Sequence, residues 1–274
     1  MIRRTVRSLA CLVATAVFFA LTPTPSAACQ QEAVNKLQRL HPPGFNVYIN
    51  MRKKGDFLFW LECQDLQLDL ATAVHESIHI LTSEYDAYPL LNGQRLPRIA
   101  DDPVYYPPSA LQRYFDTSST YVETYIVPGT ATSSEQFGFL LDEFNAYTHD
   151  LNAAIALQPL ARPGQYASHR DGLAALMSFV FSYVEEARRA YPQTWQQLQT
   201  RQLRSTVKTL WEQAEQVMAN SCLVPNFGEE TPKFLSNVCR STAQGAMGHL
   251  LGRPPLCPVS CARPQIAQSV QSFQ

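Results

Sequence analysis

Within residues 71–81, ATAVHESIHIL, His75, Glu76 and His79 fall in the pattern H-E-x-x-H. Positions four apart share one face of an α-helix, so the two imidazoles can converge on a single metal ion. Glu76 points to the side of them, near enough to reach a water on that ion rather than the ion itself. That combination suits hydrolysis, in which the metal activates water and the carboxylate takes its proton. Without a metal, the same three residues are only polar groups on an amphipathic helix. Two histidines cannot hold a catalytic zinc alone, so the chemistry turns on a third ligand.

The helix that must carry them can be read from its pattern. Asp65 or Asp69 can cap a helix running to about Glu84. Leu70, Ala71, Val74, Ile78 and Leu81 form its core stripe. Gln67 interrupts that stripe toward the N-terminus, so burial is expected to begin at Leu70. His75 and His79 sit on the flank of the stripe, beside Leu68 and Thr72, where side chains line a cleft while their helix stays anchored.

The third ligand is approached by exclusion. A histidine six residues after His79 would stand at position 85, which is Tyr85, and no Gly-Thr-x-Asp follows the motif. Between Glu84 and Glu123 there is no glutamate. Glu123, Glu135 and Glu143 remain. Glu135 belongs to Ser133-Ser134-Glu135-Gln136, a capping box for a helix from Ser134 to Gln158. Glu123 lies in TYVETYIV, expected to be a strand lining the cleft. Glu143 falls at the edge of the stripe Phe137, Leu140, Phe144, Leu151 and Ile155, on the same side as Tyr147 and Asp150, with Asp142 expected to point away. A carboxylate beside a buried stripe normally needs a partner. A metal shared with His75 and His79 would supply it, which favours Glu143 and leaves Glu123 as the alternative. Tyr147, one turn after Glu143, is the expected donor to a developing oxyanion, ahead of Tyr125, His149 and His169. Asp150 is expected to orient a ligating histidine.

Two histidines of H-E-x-x-H on one helix, with a glutamate from a later helix, resemble the gluzincin group of zinc metallopeptidases. The likeness rests on two short segments. It implies a zincin-like α+β fold, Zn2+ held by His75, His79 and Glu143, and hydrolysis of peptide bonds with Glu76 as general base. The site would then lie between a strand-bearing part, about residues 29–130, and a helical part, about 131–261. The substrate would be a peptide or protein. The competing readings are an exported binding or structural protein with a non-catalytic zinc site, and a metallohydrolase acting on another bond. Glu76 separates binder from enzyme, since a structural site has no use for a general base.

The remaining sequence sets the compartment and the scaffold. Arg3, Arg4 and Arg7 precede the apolar run Leu9–Leu21, and Ser26-Ala27-Ala28 forms a small-x-small site, so residues 1–28 read as a secretory signal peptide. The product is periplasmic or secreted, with no membrane span; a lipid anchor on Cys29 is the rival, weakened by Ser26 where a lipobox prefers Leu. Removing three of the 22 basic residues and none of the 23 acidic ones leaves an excess of acid. No basic stripe suggests a nucleic-acid partner. Cys29, Cys63, Cys222, Cys239, Cys257 and Cys261 form an even set that reads as disulfides, with 15 pairings open. A cysteine-zinc site is the rival reading, but only Cys257 and Cys261 are closely spaced.

Coarse patterning predicts a short helix from Cys29 to Leu40. A β-hairpin is expected around Gly55-Asp56, with its strand Phe57–Leu61 read as an edge for an extended peptide. A second hairpin is expected at Asn92-Gly93. Further helices are expected from Ser168 to about Tyr191, from Thr194 to Asn220, and from Thr231-Pro232 toward Leu251. Residues 262–274 read as a flexible tail.

Overall fold

Pro42 and Pro43 close the first helix and open the second. The computed structural model describes residues 27–262, so most of the expected signal peptide and the tail from residue 263 lie outside it. Helix α1 (Ala27–Leu40) is followed by α2 (Pro42–Asn50), which carries both prolines in its first turn, where the missing N–H has no partner to lose. His41 caps α2, its Nδ1 accepting from the Gly44 N–H at 3.1 Å. The hairpin expected over residues 45–63 is therefore helical, with α3 (Lys54–Leu58) where the turn was expected. Exposure shows why the alternation misled. A strand would bury Val47 with Ile49 and Phe57 with Phe59, yet Ile49 is 50% and Phe59 76% exposed. Burial follows i, i+4 instead, at Val47 and Met51 and again at Phe57 and Leu61. No edge strand exists at Phe57–Leu61 to receive a peptide.

The motif helix forms as its pattern requires. In α4 (Leu66–Tyr85), Asp65 is the N-cap, accepting from the Leu68 N–H. All five residues of the expected stripe are buried. Burial starts earlier than expected, because Gln67 donates from Nε2 to the Ala154 carbonyl at 2.9 Å and so fits an apolar interface. The Asn92-Gly93 hairpin is present: β1 (Ala87–Pro89) pairs antiparallel with β2 (Arg95–Pro97) in the register Tyr88 to Leu96. This two-stranded sheet is the only sheet among the described residues. The fold is accordingly a mainly helical α+β arrangement.

TYVETYIV does not form a strand. It contains α5 (Thr120–Tyr125), anchored by buried Val122 and Ile126 at i, i+4 spacing. Extended Gln136 divides the next expected helix into α6 (Thr132–Glu135) and α7 (Phe137–Ala156). Glu135 accepts from the Gly129 N–H and the Ser134 hydroxyl, so it holds a turn and forms no capping box. Helix α8 (His169–Ala190) is buried on nearly every side, as the central helix of an all-round packing must be. Thr200 separates α9 (Pro192–Leu198) from α10 (Arg201–Ser221), and the helix from Thr231 stops early, as α11 (Thr231–Cys239), before α12 (Ala246–Leu251) and α13 (Val259–Ala262). Helix α7 packs between α4 and α8, and Leu70, Phe144 and Leu176 of these three helices all belong to the buried core.

Six cysteines pair as Cys29–Cys63, Cys222–Cys261 and Cys239–Cys257. None is left among the described residues for a four-cysteine zinc site. No described helix is long and apolar enough to cross a membrane.

Two buried histidines outside the motif make stability depend on pH. Burial pushes His41 and His149 down to about 4. Each is neutral in the fold: His41 Nδ1 accepts from Gly44, and His149 Nε2 lies 3.0 Å from the Pro89 carbonyl, to which it donates. Above pH 6.5 both folded and unfolded chains leave them neutral, so their contribution is intact. As pH falls from 6.5 to 4, only the unfolded chain takes up the protons, and stability drops by at most about 3 kcal/mol per histidine. Urea unfolding at pH 7 and pH 4.5 is expected to show this loss, and His149→Gln to flatten the slope.

Candidate metal centre

Helices α4 and α7 bring three ligand atoms together. His75 and His79 project from successive turns of α4, and their Nε2 atoms face each other at 3.2 Å. Glu143 of α7 places Oε2 at 3.8 Å from His75 Nε2 and 3.5 Å from His79 Nε2. This is the one group of three or more such residues among the described residues whose ligand atoms cluster, all within 4.8 Å. The three can hold a metal ion. Glu143 Oε2 is buried and accepts no acceptably directed hydrogen bond, a costly state that a shared cation would relieve.

Behind the ligands stands a residue that the sequence reading put on the wrong side. Asp142 does not point away. It is buried, and its Oδ2 accepts from His79 Nδ1 at 2.8 Å. The bond holds a proton on His79 Nδ1, so that Nε2 is the ring atom facing His75 and Glu143. Asp142 was missed because α7 is packed by α4, α8 and α10 together, so the side opposite its apolar stripe is not solvent. Leu141, Asn145 and Thr148, all buried, carried that signal in the sequence.

Electrostatics agree with a cationic occupant. Burial would lower His79, but the carboxylates of Asp142 and Glu143 override it and push its pKa up to about 10. His75 moves the opposite way, down, through burial and the neighbouring His79 charge. Glu143 is held low by His79 against the opposing effect of its burial. Two carboxylates around two imidazoles therefore keep one positive charge in place, whether a proton or a metal.

Comparison of this chain with protein-family models, with curated proteins and with solved structures finds no match. The geometry alone carries the functional reading.

On one side of the ligands lies a hollow of about 220 Å³ lined by His75, Glu76, Tyr125, Tyr147, Asp150 and His169, among others. Glu76 is half-buried on its wall. Tyr147 lays its ring edge-to-face on His75, centroids 4.6 Å apart, and its hydroxyl meets that of Tyr125 at 2.9 Å. Gly172 of α8 makes room for this ring, since a Cβ there would come within 2.1 Å of Tyr147 Cε1.

Asp150 does not orient a ligating histidine. Its Oδ2 pairs with His169 Nδ1 at 2.9 Å, raising the imidazole's pKa against the effect of burial. His169 lines the hollow, and its Nε2 is buried and lacks a hydrogen-bond partner among the described residues. The start of α8, and with it His169, is fixed by its neighbours. Asp171 accepts from Thr231 Oγ1 and the Glu229 N–H, and Arg170 donates to the Ser221 and Val224 carbonyls. His149 serves no such purpose, since it is bonded to Pro89 outside this hollow. Glu123, the alternative ligand, is exposed on α5 and stands outside the cluster.

Proposed function

We propose that this protein is an exported zinc-dependent metallopeptidase with a zincin-like site. One observation carries the reading: the ligand atoms of His75, His79 and Glu143 converge while Glu76, from the same helical turn, faces the hollow beside them. Two imidazoles and one carboxylate are a ligand set of catalytic zinc, which keeps a position open, and the carboxylate behind His79 is the usual support. When bound, zinc lowers the pKa of a water toward neutrality and polarises the scissile carbonyl.

The chain's own residues do the rest. Glu76 takes the proton of the attacking water and passes it toward the leaving amine. His169, whose protonated form Asp150 favours, is the group placed to donate from Nε2 to the oxyanion that develops on the carbonyl. Tyr147 braces the His75 ring, and with its hydroxyl engaged by Tyr125 it is a weaker oxyanion donor than His169. Three disulfides fit an oxidising compartment, and we take the N-terminal segment to be an export signal.

Elemental analysis of protein purified without added metal tests the centre: about one zinc per chain is expected. In the His75→Ala, His79→Ala double variant the zinc is expected to vanish while all six cysteines stay paired. Unchanged metal content in that variant would place the metal elsewhere and sink the assignment. A peptide library incubated with and without chelator then asks whether the zinc does hydrolytic work.

A further inference from the structure

On the other side of the ligands is a second, larger hollow of about 410 Å³, walled by His79, Glu143, Asp142, Thr82 and Arg98. It plays no part in the steps described above, yet it holds an unexplained cation. Arg98 follows β2 and is anchored by its backbone N–H, which donates to the Asp86 carbonyl at 3.0 Å. Its guanidinium lies over the Phe139 ring at 4.2 Å. That contact holds the guanidinium beside the ring, and a planar guanidinium keeps its N–H donors available at its edges. Arg98 Nε is buried and makes no hydrogen bond, and Arg98 forms no ion pair among the described residues.

Other arginines show how unusual this is. Arg113, Arg189 and Arg253 are paired with glutamates, and buried Arg170 is satisfied by carbonyls. Arg95, which also stacks on a ring, is exposed and has water for its N–H groups. Among the described residues, Arg98 alone combines a buried, unsatisfied guanidinium N–H with a place in a hollow. The nearby carboxylates do not pair with it: Asp142 Oδ2 accepts from His79, Asp142 Oδ1 is buried without a hydrogen-bond partner, and neither Asp142 nor Glu143 forms an ion pair with Arg98. Thr82, 1% exposed, adds a hydroxyl without a partner to the same wall.

We propose that this hollow is a carboxylate subsite, in which Arg98 receives an anionic group of the peptide beside the scissile bond. The inference rests on the peptidase reading and names its substrate class: peptides with an acidic side chain, or with a free C-terminus, close to the point of cleavage. A planar guanidinium matches a carboxylate in two-point geometry, and Thr82 Oγ1 can supply a further donor. The step is binding only, and Arg98 acts as a specificity residue.

Calorimetry on the full chain carrying Glu76→Gln, loaded with zinc, tests it, because binding is then read without turnover. The probes are acetyl-tetraalanine as free acid, the same peptide as its amide, and the amide with one alanine replaced by glutamate or glutamine. At least one acid is expected to bind roughly tenfold or more tighter than its neutral counterpart. Which one does so tells a terminal carboxylate from a side-chain carboxylate. Adding Arg98→Met, which keeps an apolar contact on Phe139, is expected to erase the preference; Arg98→Lys retains part of it. Zinc content and thermal unfolding of each variant establish that the fold persists. Equal binding of acids and neutral peptides, no binding of any acid, or a preference that survives Arg98→Met overturns the subsite. Library cleavage by the wild-type chain is scored separately. A chain that prefers acids but cleaves nothing counts against the peptidase and leaves the carboxylate site standing.

Discussion

Replacing Glu76 with glutamine is expected to lower hydrolysis by roughly 10²–10⁴-fold, the usual scale of general acid–base catalysis. The substitution keeps the length of the side chain and its hydrogen-bonding reach but removes the ability to accept water's proton. Glu76 lies outside the cluster of ligand atoms, so zinc content and thermal stability are expected to stay close to wild type. This separation of turnover from metal binding is what distinguishes an enzyme from a zinc-holding scaffold. The assay compares wild type and variant on the same cleaved peptide, with a chelator control. Equal cleavage by both would falsify the assignment of Glu76 as base. Substituting His169 with glutamine is a useful companion, because it too is expected to slow turnover without releasing zinc.

Glu143→Gln is expected to act on the metal itself, weakening zinc binding by about 100-fold or more. The substitution removes the only anionic ligand of the three, and neutral amides are poor zinc ligands. Asp142→Asn has a graded effect. His79 keeps an acceptor for its Nδ1–H but loses the charge behind it, and support residues of this kind typically contribute 10–100-fold. Competition with a calibrated chelator gives both numbers. The order matters more than either value: a larger loss from Asp142→Asn than from Glu143→Gln would mean that the wrong carboxylate has been placed on the metal. Glu123→Gln, on exposed α5, is expected to change nothing.

The core of the site was legible in the residues alone because its parts lie on two long helices. Spacing of four puts His75 and His79 on one face whatever the rest of the chain does, and the edge of an apolar stripe singled out Glu143. Asp142, Arg98 and the His169–Asp150 pair were not legible in the same way. Each depends on which neighbour packs against a given face, and that is a tertiary fact. The second hairpin was readable because Asn92-Gly93 permits a left-handed turn residue, with Gly93 at φ +81°. The first hairpin failed for an opposite reason. Two prolines at positions 42 and 43 pre-set a helical start, and an alternating pattern in a short segment satisfies i, i+4 burial about as well as it satisfies a strand. Val122 and Ile126 repeat the lesson, since β-branched residues four apart served as helix anchors once packing was available.

The cross-links have a bearing on how the molecule fails. Cys29–Cys63 ties the entry of the chain, while Cys222–Cys261 and Cys239–Cys257 staple its exit. From residue 64 to residue 221, a stretch holding every residue assigned to the metal and to the hollows, there is no covalent tie. The ends are armoured and the middle relies on helix packing alone. Reductants and heat therefore address different halves of the protein. A reducing environment would loosen the periphery, while the ligand geometry persists for as long as α4, α7 and α8 stay packed. Warming works in the other direction, separating those helices inside a frame whose ends remain fastened.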